Sequence, residues 1–191
     1  MTKGKSERIV IVDEHDIVIG EEEKEKCHDG EGLLHRGFLA MVFTDAGELL
    51  LTRRSDKKRL WPGFWDGTVA SHLLKGEDYL QASERRLRQE LGLKASGIEY
   101  AFKFHYKAPY RDVGIEHEIC AVTIVRGVSV NSLVPDIDEI AEVRTANFKE
   151  LIQEVMINRN GYTPWLILAL EHISERPLEQ REEIRIPKAV C

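Results

Sequence analysis

The sequence predicts a single α/β domain in which strands and helices mix around a sheet. Three observations carry this. Short apolar runs are separated by Asp- and Gly-containing turns, two segments space their apolar residues as helices do, and a chain of 191 residues, 42% hydrophobic and 31% charged, suits one globular core.

Taken in order, Ile9 to Val12 and Ile17 to Gly20 read as two short strands joined by the polar reversal Asp13 to Asp16. Glu21 to Lys26 is a dense charge run, which by itself suggests a solvated helix face or loop. Gly37 to Phe43 and Glu48 to Arg53 form the clearest hairpin, because Asp45 and Gly47 sit between two apolar runs. Residues 76–91 are expected to be a helix. Leu80, Leu87 and Leu91 recur at helical spacing, Glu77 and Asp78 complement the dipole at its start, and Gly92 supplies a left-handed cap. Ile98 to His105, Ile119 to Val125 and Ala141 to Thr145 read as further strands. A second helix opens at Thr163-Pro164-Trp165, with Thr163 as cap, Pro164 in the first turn, and Leu166, Leu170 and Ile173 along one face. The chain is thus read as one domain over residues 1–191, with a short extension at 1–8 and a polar tail from about 176 to 191.

Composition excludes several function classes. No apolar stretch approaches the roughly 18 to 20 residues of a membrane-spanning helix, and Met1 to Ser6 is polar rather than signal-like, so the expectation is a cytoplasmic protein with no membrane partner. Cys27, Cys120 and Cys191 are odd in number, widely spaced and without a C-x-x-C pair, which predicts free thiols. A net charge of -6 weighs against nucleic acid, although a small anionic ligand is compatible with the 27 Lys and Arg residues. Monomer and homodimer are both open.

The charged segment from Ser71 carries the most chemistry. It reads Ser71-His-Leu-Leu-Lys-Gly-Glu77, then seven residues, then Arg85-Arg-Leu-Arg-Gln-Glu-Leu-Gly-Leu93. This resembles the Nudix box. Glu77, Arg85, Leu87, Glu90, Gly92 and Leu93 match its pattern, while Ser71, Arg86 and Gln89 depart from it. The resemblance implies the Nudix fold, a mixed β-sheet sandwiched between helices, and a box whose glutamates hold Mg²⁺ against a diphosphate. Hard oxygen ligands suit Mg²⁺, which takes only one or two carboxylates beside phosphate oxygens, so Glu90 alone could serve. With Arg86 and Gln89 in place of carboxylates, the box is short of ligands for ordinary hydrolysis. Arg86 and Glu90 are also spaced as an i, i+4 ion pair.

From about Ile9 to about Leu170 the chain is similar to one branch of that superfamily, the type I isopentenyl-diphosphate isomerases. In that branch three histidines and two glutamates hold a metal, and His28, His35, His72, Glu116 and Glu118 match those positions. Imidazole and carboxylate suit a divalent ion (Mn²⁺, Zn²⁺ or Mg²⁺), and Glu116 and Glu118, two apart on a strand, face the same way. Lys24, Arg54, Lys58 and Arg86 fall where the branch places cations around the diphosphate of a small-molecule substrate. Glu118, Tyr106 and Trp165 match its protonation pair and the ring that shields a carbocation.

One residue breaks the match. The branch reads Trp-Thr-Asn-x-x-Cys-x-His before its metal histidine, and here the segment is Trp65-Asp-Gly-Thr-Val-Ala70-Ser71-His72. Ala70 has no proton to give or take. Cys120 shares a strand face with Glu116 and Glu118 by counting in twos, but the branch has a Cys there as well, so it is expected to be a packed thiol. The expected function is therefore a metal-dependent enzyme interconverting isopentenyl and dimethylallyl diphosphate, impaired or rerouted by Ala70. Two alternatives stand beside it: a Nudix hydrolase of isoprenoid or nucleoside diphosphates, and a non-catalytic diphosphate-binding module.

Overall fold

The computed structural model describes residues 7–175; the tail at 176–191, Cys191 included, and residues 1–6 lie outside the described residues. Strands β1 (Arg8–Val12) and β2 (Val18–Glu23) form the expected antiparallel hairpin, but β2 continues through Glu21 to Glu23. Half of the charge run is therefore strand, and the rest opens a short helix, α1 (Lys24–Cys27). Strands β3 (His35–Thr44) and β4 (Leu49–Arg54) realise the second hairpin, whose turn requires Gly47 at φ 80°, a conformation that side chains rarely adopt.

Two short strands that the sequence pattern did not mark follow: β5 (Trp65–Asp66) and β6 (Val69–His72). Helix α2 (Tyr79–Leu91) begins three residues later than expected because Asp78 caps it, its side chain accepting from the Gln81 amide while the Gln81 side-chain oxygen accepts from the Asp78 amide. Gly92, at φ 65°, ends it as expected. The long antiparallel pair β7 (Glu99–Tyr110) and β8 (Gly114–Val128) extends both expected strands, and β9 (Ile140–Ala146) pairs with β4. Helix α3 (Phe148–Ile157), capped by Asn147, was not foreseen; α4 (Pro164–Glu175) was.

Strand β3 organises the molecule. Parallel β8 follows one edge from the pair His35↔Glu118 to Thr44↔Val128, while β1, β6 and β4 take successive antiparallel stretches of the other edge. Alternate residues of β3 go to opposite faces. Leu39, Met41 and Phe43 join the core formed with α3 and α4, whereas Phe38, Ala40 and Val42 join the core formed with α2. The mixed sheet is thus sandwiched between helices, the architecture that the resemblance implied. Two local expectations are corrected. Leu80 is exposed, because the buried side of α2 runs through Ala82, Ser83, Arg86, Leu87, Glu90 and Leu91. The Thr163 hydroxyl, expected to cap α4, donates instead to Asp66 at 3.0 Å. Among the described residues no helix is long and apolar enough to cross a membrane.

Candidate functional site

The register of β3 against β8 and β6 assembles the histidines and glutamates. His35 opens β3 opposite Glu118 of β8, Gly37 lies opposite His72 of β6, and His28 follows α1. Together they place three imidazole rings 4.9, 5.0 and 4.9 Å apart, centre to centre, around the Glu116 carboxylate. From Glu116 Oε2, the Nε2 atoms of His28, His35 and His72 stand 2.9, 3.7 and 3.8 Å away. Glu118 Oε1 lies 3.5 Å from His35 Nε2 and 3.1 Å from His72 Nε2. All five side chains are buried.

The protons on the imidazole rings determine what this arrangement can hold. His28 Nδ1 is 2.6 Å from the Lys24 carbonyl and His35 Nδ1 is 2.7 Å from the Leu33 carbonyl. A carbonyl oxygen only accepts, so each Nδ1 carries the proton and a neutral ring turns its Nε2 lone pair toward the carboxylates. Lone pairs facing carboxylate oxygens in a buried space require a cation between them, either a proton or a metal ion. His35 Nε2 is buried with no hydrogen-bond partner, as an unfilled ligand position would be. Within the protein alone the protons serve: burial opposes charge on His35, but Glu116 and Glu118 pull it up to about 9. Burial likewise pushes both carboxyls up, and Glu116 pushes Glu118 further, yet the histidines hold Glu116 well below the usual range and Glu118 at about 2. The residues present fit a divalent ion: His28, His35, His72 and Glu116 bring their ligand atoms within 4.8 Å of one another.

Beside this cluster opens a cavity of about 330 Å³. The Tyr106 hydroxyl donates to Glu118 Oε2 at 2.8 Å, and burial followed by the charges of Glu118 and Glu116 raises the phenol well above its ordinary pKa, so it stays a donor. Tyr106 and Trp165 stand 6.3 Å apart, ring centre to ring centre, and Phe38, Leu60 and Ala70 add apolar surface to the lining. Cys120 is buried in the core, and burial, then Glu118, raises its thiol well above the ordinary range. It is the inert packed thiol that was expected.

Cations stand among the carboxylates of the cavity's lining. Lys24, Arg54 and Lys58 line the cavity; Arg86 and Glu90 do not, though Arg86 pairs with Glu139 of the lining. Each cation has an internal carboxylate, and of these only Glu90 was legible from sequence spacing. Lys24 faces Glu7 at 3.5 Å, Arg54 meets Asp66 at 3.1 Å, Lys58 meets Glu139 at 2.5 Å, and Arg86 meets Glu90 at 2.6 Å and Glu139 at 3.0 Å. The Arg86–Glu90 pair is thus formed as its spacing allows, but it is buried rather than a surface pair. Glu77 of the box is held by Arg85 at 2.6 Å and by the Leu74 amide at 2.9 Å, which gives it a structural task at the head of α2. Asp66 and Glu139 could have been suspected only as acidic residues at a strand end and in a loop.

A mixed sheet between helices, with a box-bearing helix flanking an acidic and basic cavity, defines a Nudix-domain protein: the NUDIX domain family matches residues 33–166. The isopentenyl-diphosphate Delta-isomerase of Haloarcula marismortui is 33% identical over 89% of this chain and 92% of its own length, and that of Klebsiella pneumoniae subsp. pneumoniae is 33% identical over the same shares. The chain belongs to the isopentenyl-diphosphate Delta-isomerase family of Nudix enzymes, and is an isomerase-like enzyme. Solved structures share the fold. A Deinococcus radiodurans protein superposes with a TM-score of 0.69 at 20% identity, covering 87% of this chain and 98% of its own, and the MutT protein of Methanosarcina mazei with 0.59 at 15%, covering 75% and 96%.

Proposed function

We propose that this protein interconverts isopentenyl and dimethylallyl diphosphate by proton transfer, at a rate limited by Ala70. The observation that carries the reading is the hydrogen bond from Tyr106 to Glu118, at the wall of a cavity that Lys24, Arg54 and Lys58 also line. On this reading Lys24, Arg54 and Lys58 bind the diphosphate; Glu90, buried against Arg86 and outside the cavity lining, would hold Mg²⁺ only with that pair opened, and the ion would supply positive charge to the phosphates. A divalent ion held by His28, His35, His72, Glu116 and Glu118 would fix the carboxylates and supply positive charge beside them. A proton from the Tyr106 and Glu118 pair goes to the terminal carbon of the double bond, leaving a tertiary carbocation against the Trp165 ring. Loss of a proton from the neighbouring methylene then completes the isomer. A cysteine would receive that proton; Ala70 cannot, so water or a weaker base must.

The test is to incubate the protein with isopentenyl diphosphate and Mg²⁺ in heavy water. Dimethylallyl diphosphate, or deuterium in recovered substrate, is the expected result. Release of phosphate without either would establish the hydrolase alternative. Mg²⁺-dependent binding with no product would establish the binding module.

A further inference from the structure

Asp66 is 2% exposed, does not line the cavity, and is given no task by the reading above. Its carboxylate nevertheless has four partners. Oδ1 accepts from the Gly67 amide at 2.7 Å, from Thr163 Oγ1 at 3.0 Å and from the indole Nε1 of Trp165 at 2.7 Å. Oδ2 accepts from Arg54 Nη1 at 3.1 Å. With donors on both oxygens the carboxylate cannot rotate, and the donors belong to three segments: the end of β4, the residue after β5, and the start of α4. Arg54 also gives Nε and Nη2 to the Leu60 carbonyl and Nε to that of Trp61, and its guanidinium sits 5.1 Å from the centre of the Trp165 ring. Arg54 and Trp165 both line the cavity. One carboxylate behind the wall therefore fixes a cation and an aromatic ring relative to each other.

We propose that Asp66 is a positioning residue that sets the register between the phosphate-binding end of the cavity, through Arg54, and its hydrocarbon-facing wall, through Trp165. The proposal rests on the isoprenoid diphosphate reading, because only a ligand with an anionic head and an apolar tail uses both ends at once. The chain has three tryptophans, so its indole N–H signals can be assigned by NMR with Trp165→Phe, which deletes one. A charge-assisted bond to a buried carboxylate puts the Trp165 signal downfield and slows its exchange. Asp66→Ala is expected to return it to the ordinary range, and an unmoved signal would overturn the proposal.

Kinetics separate the two arms. Asp66→Asn keeps a carbonyl oxygen for the indole but turns an amide N–H toward Arg54, so KM for isopentenyl diphosphate should rise about tenfold with kcat within about threefold. Asp66→Ala should also lower kcat at least about tenfold, and adding Trp165→Phe to it should cost no more, since the two act as a unit. If Asp66→Ala melts cooperatively and keeps wild-type kcat and KM, or if the double change is additive, Asp66 is merely structural. Should Asp66→Asn fail to fold, Asp66→Glu keeps the charge on Arg54 and lengthens the arm; kcat/KM is then expected to fall about tenfold, and wild-type kinetics would overturn the register. Where neither the wild-type chain nor its Ala70→Cys variant turns isopentenyl diphosphate over, the isomerase reading fails separately. The positioning claim is then decided by titrating inorganic pyrophosphate with Mg²⁺. The Trp165 signal should shift in the wild type and not in Asp66→Asn, and equal shifts in both would refute it.

Discussion

Ala70 lines the cavity two residues before His72, and its methyl group can neither accept nor deliver a proton. With the Tyr106 and Glu118 pair intact, Ala70→Cys is expected to raise the rate of dimethylallyl diphosphate formation by ~10² to 10⁴, the usual worth of one placed acid or base. Unchanged initial rates would mean that the second proton leaves elsewhere. The buried Nε2 of His35, which makes no hydrogen bond, carries a second prediction at this scale. Stripping divalent ions with a chelator should lower stability, by about 2.7 kcal/mol when the ion had been present at a hundred times its Kd, and His35→Ala should abolish that response in a thermal melt. These residues were legible in the sequence only through the resemblance, because His28 and Glu116 lie 88 positions apart and no local pattern joins them. Glu7, Asp66 and Glu139, the partners of Lys24, Arg54, Lys58 and Arg86, were not, since they match no position of the resemblance and the pair Lys58 and Glu139 exists only after β9 is laid against β4.

Helix α2 shows how an element can be recognised and its face misjudged. Its buried side includes Ser83, whose hydroxyl lies 2.9 Å from Thr123 Oγ1, and the Arg86–Glu90 pair, so polar residues occupy positions that an apolar stripe would claim. Leucine spacing alone therefore pointed at Leu80, which is exposed. Leu87→Ala is expected to cost about 2 to 5 kcal/mol in urea unfolding, while Leu80→Lys stays within about 0.5 kcal/mol. Asp78→Ala, which removes the cap, should cost about 1 kcal/mol. Equal effects at Leu80 and Leu87 would contradict the packing of the sheet on α2. Strands β5 and β6 escaped notice for a related reason: they are short, and they carry Asp66 and His72 toward the site instead of an alternating apolar pattern.

Across the whole molecule, a chain of net charge -6 concentrates cations at one cavity and balances them with carboxylates drawn from distant segments. Glu139 is the hub, because it joins Lys58 of the loop after β4 to Arg86 of α2. Burial pushes its carboxyl up, but Lys58 and then Arg86 outweigh burial and hold it at about 2. Lys58 itself is drawn below the ordinary lysine range by burial and by Arg54, so the pairing registers on the carboxyl rather than on the ammonium. A carboxyl whose folded pKa lies below its unfolded value of 4.5 stabilises the fold fully above that value, and the contribution disappears as pH falls from there through about 2. With a quarter of the Glu139 side chain in water, the effect is discounted to about 2 kcal/mol. Glu139→Gln should therefore lower the melting temperature at pH 7, and the gap from wild type should narrow steadily between about pH 4.5 and the lowest pH at which both still fold. A gap that stayed constant down the acid limb would show that the variant loses packing rather than charge, and that the cations beside the cavity are held in place by something other than Glu139.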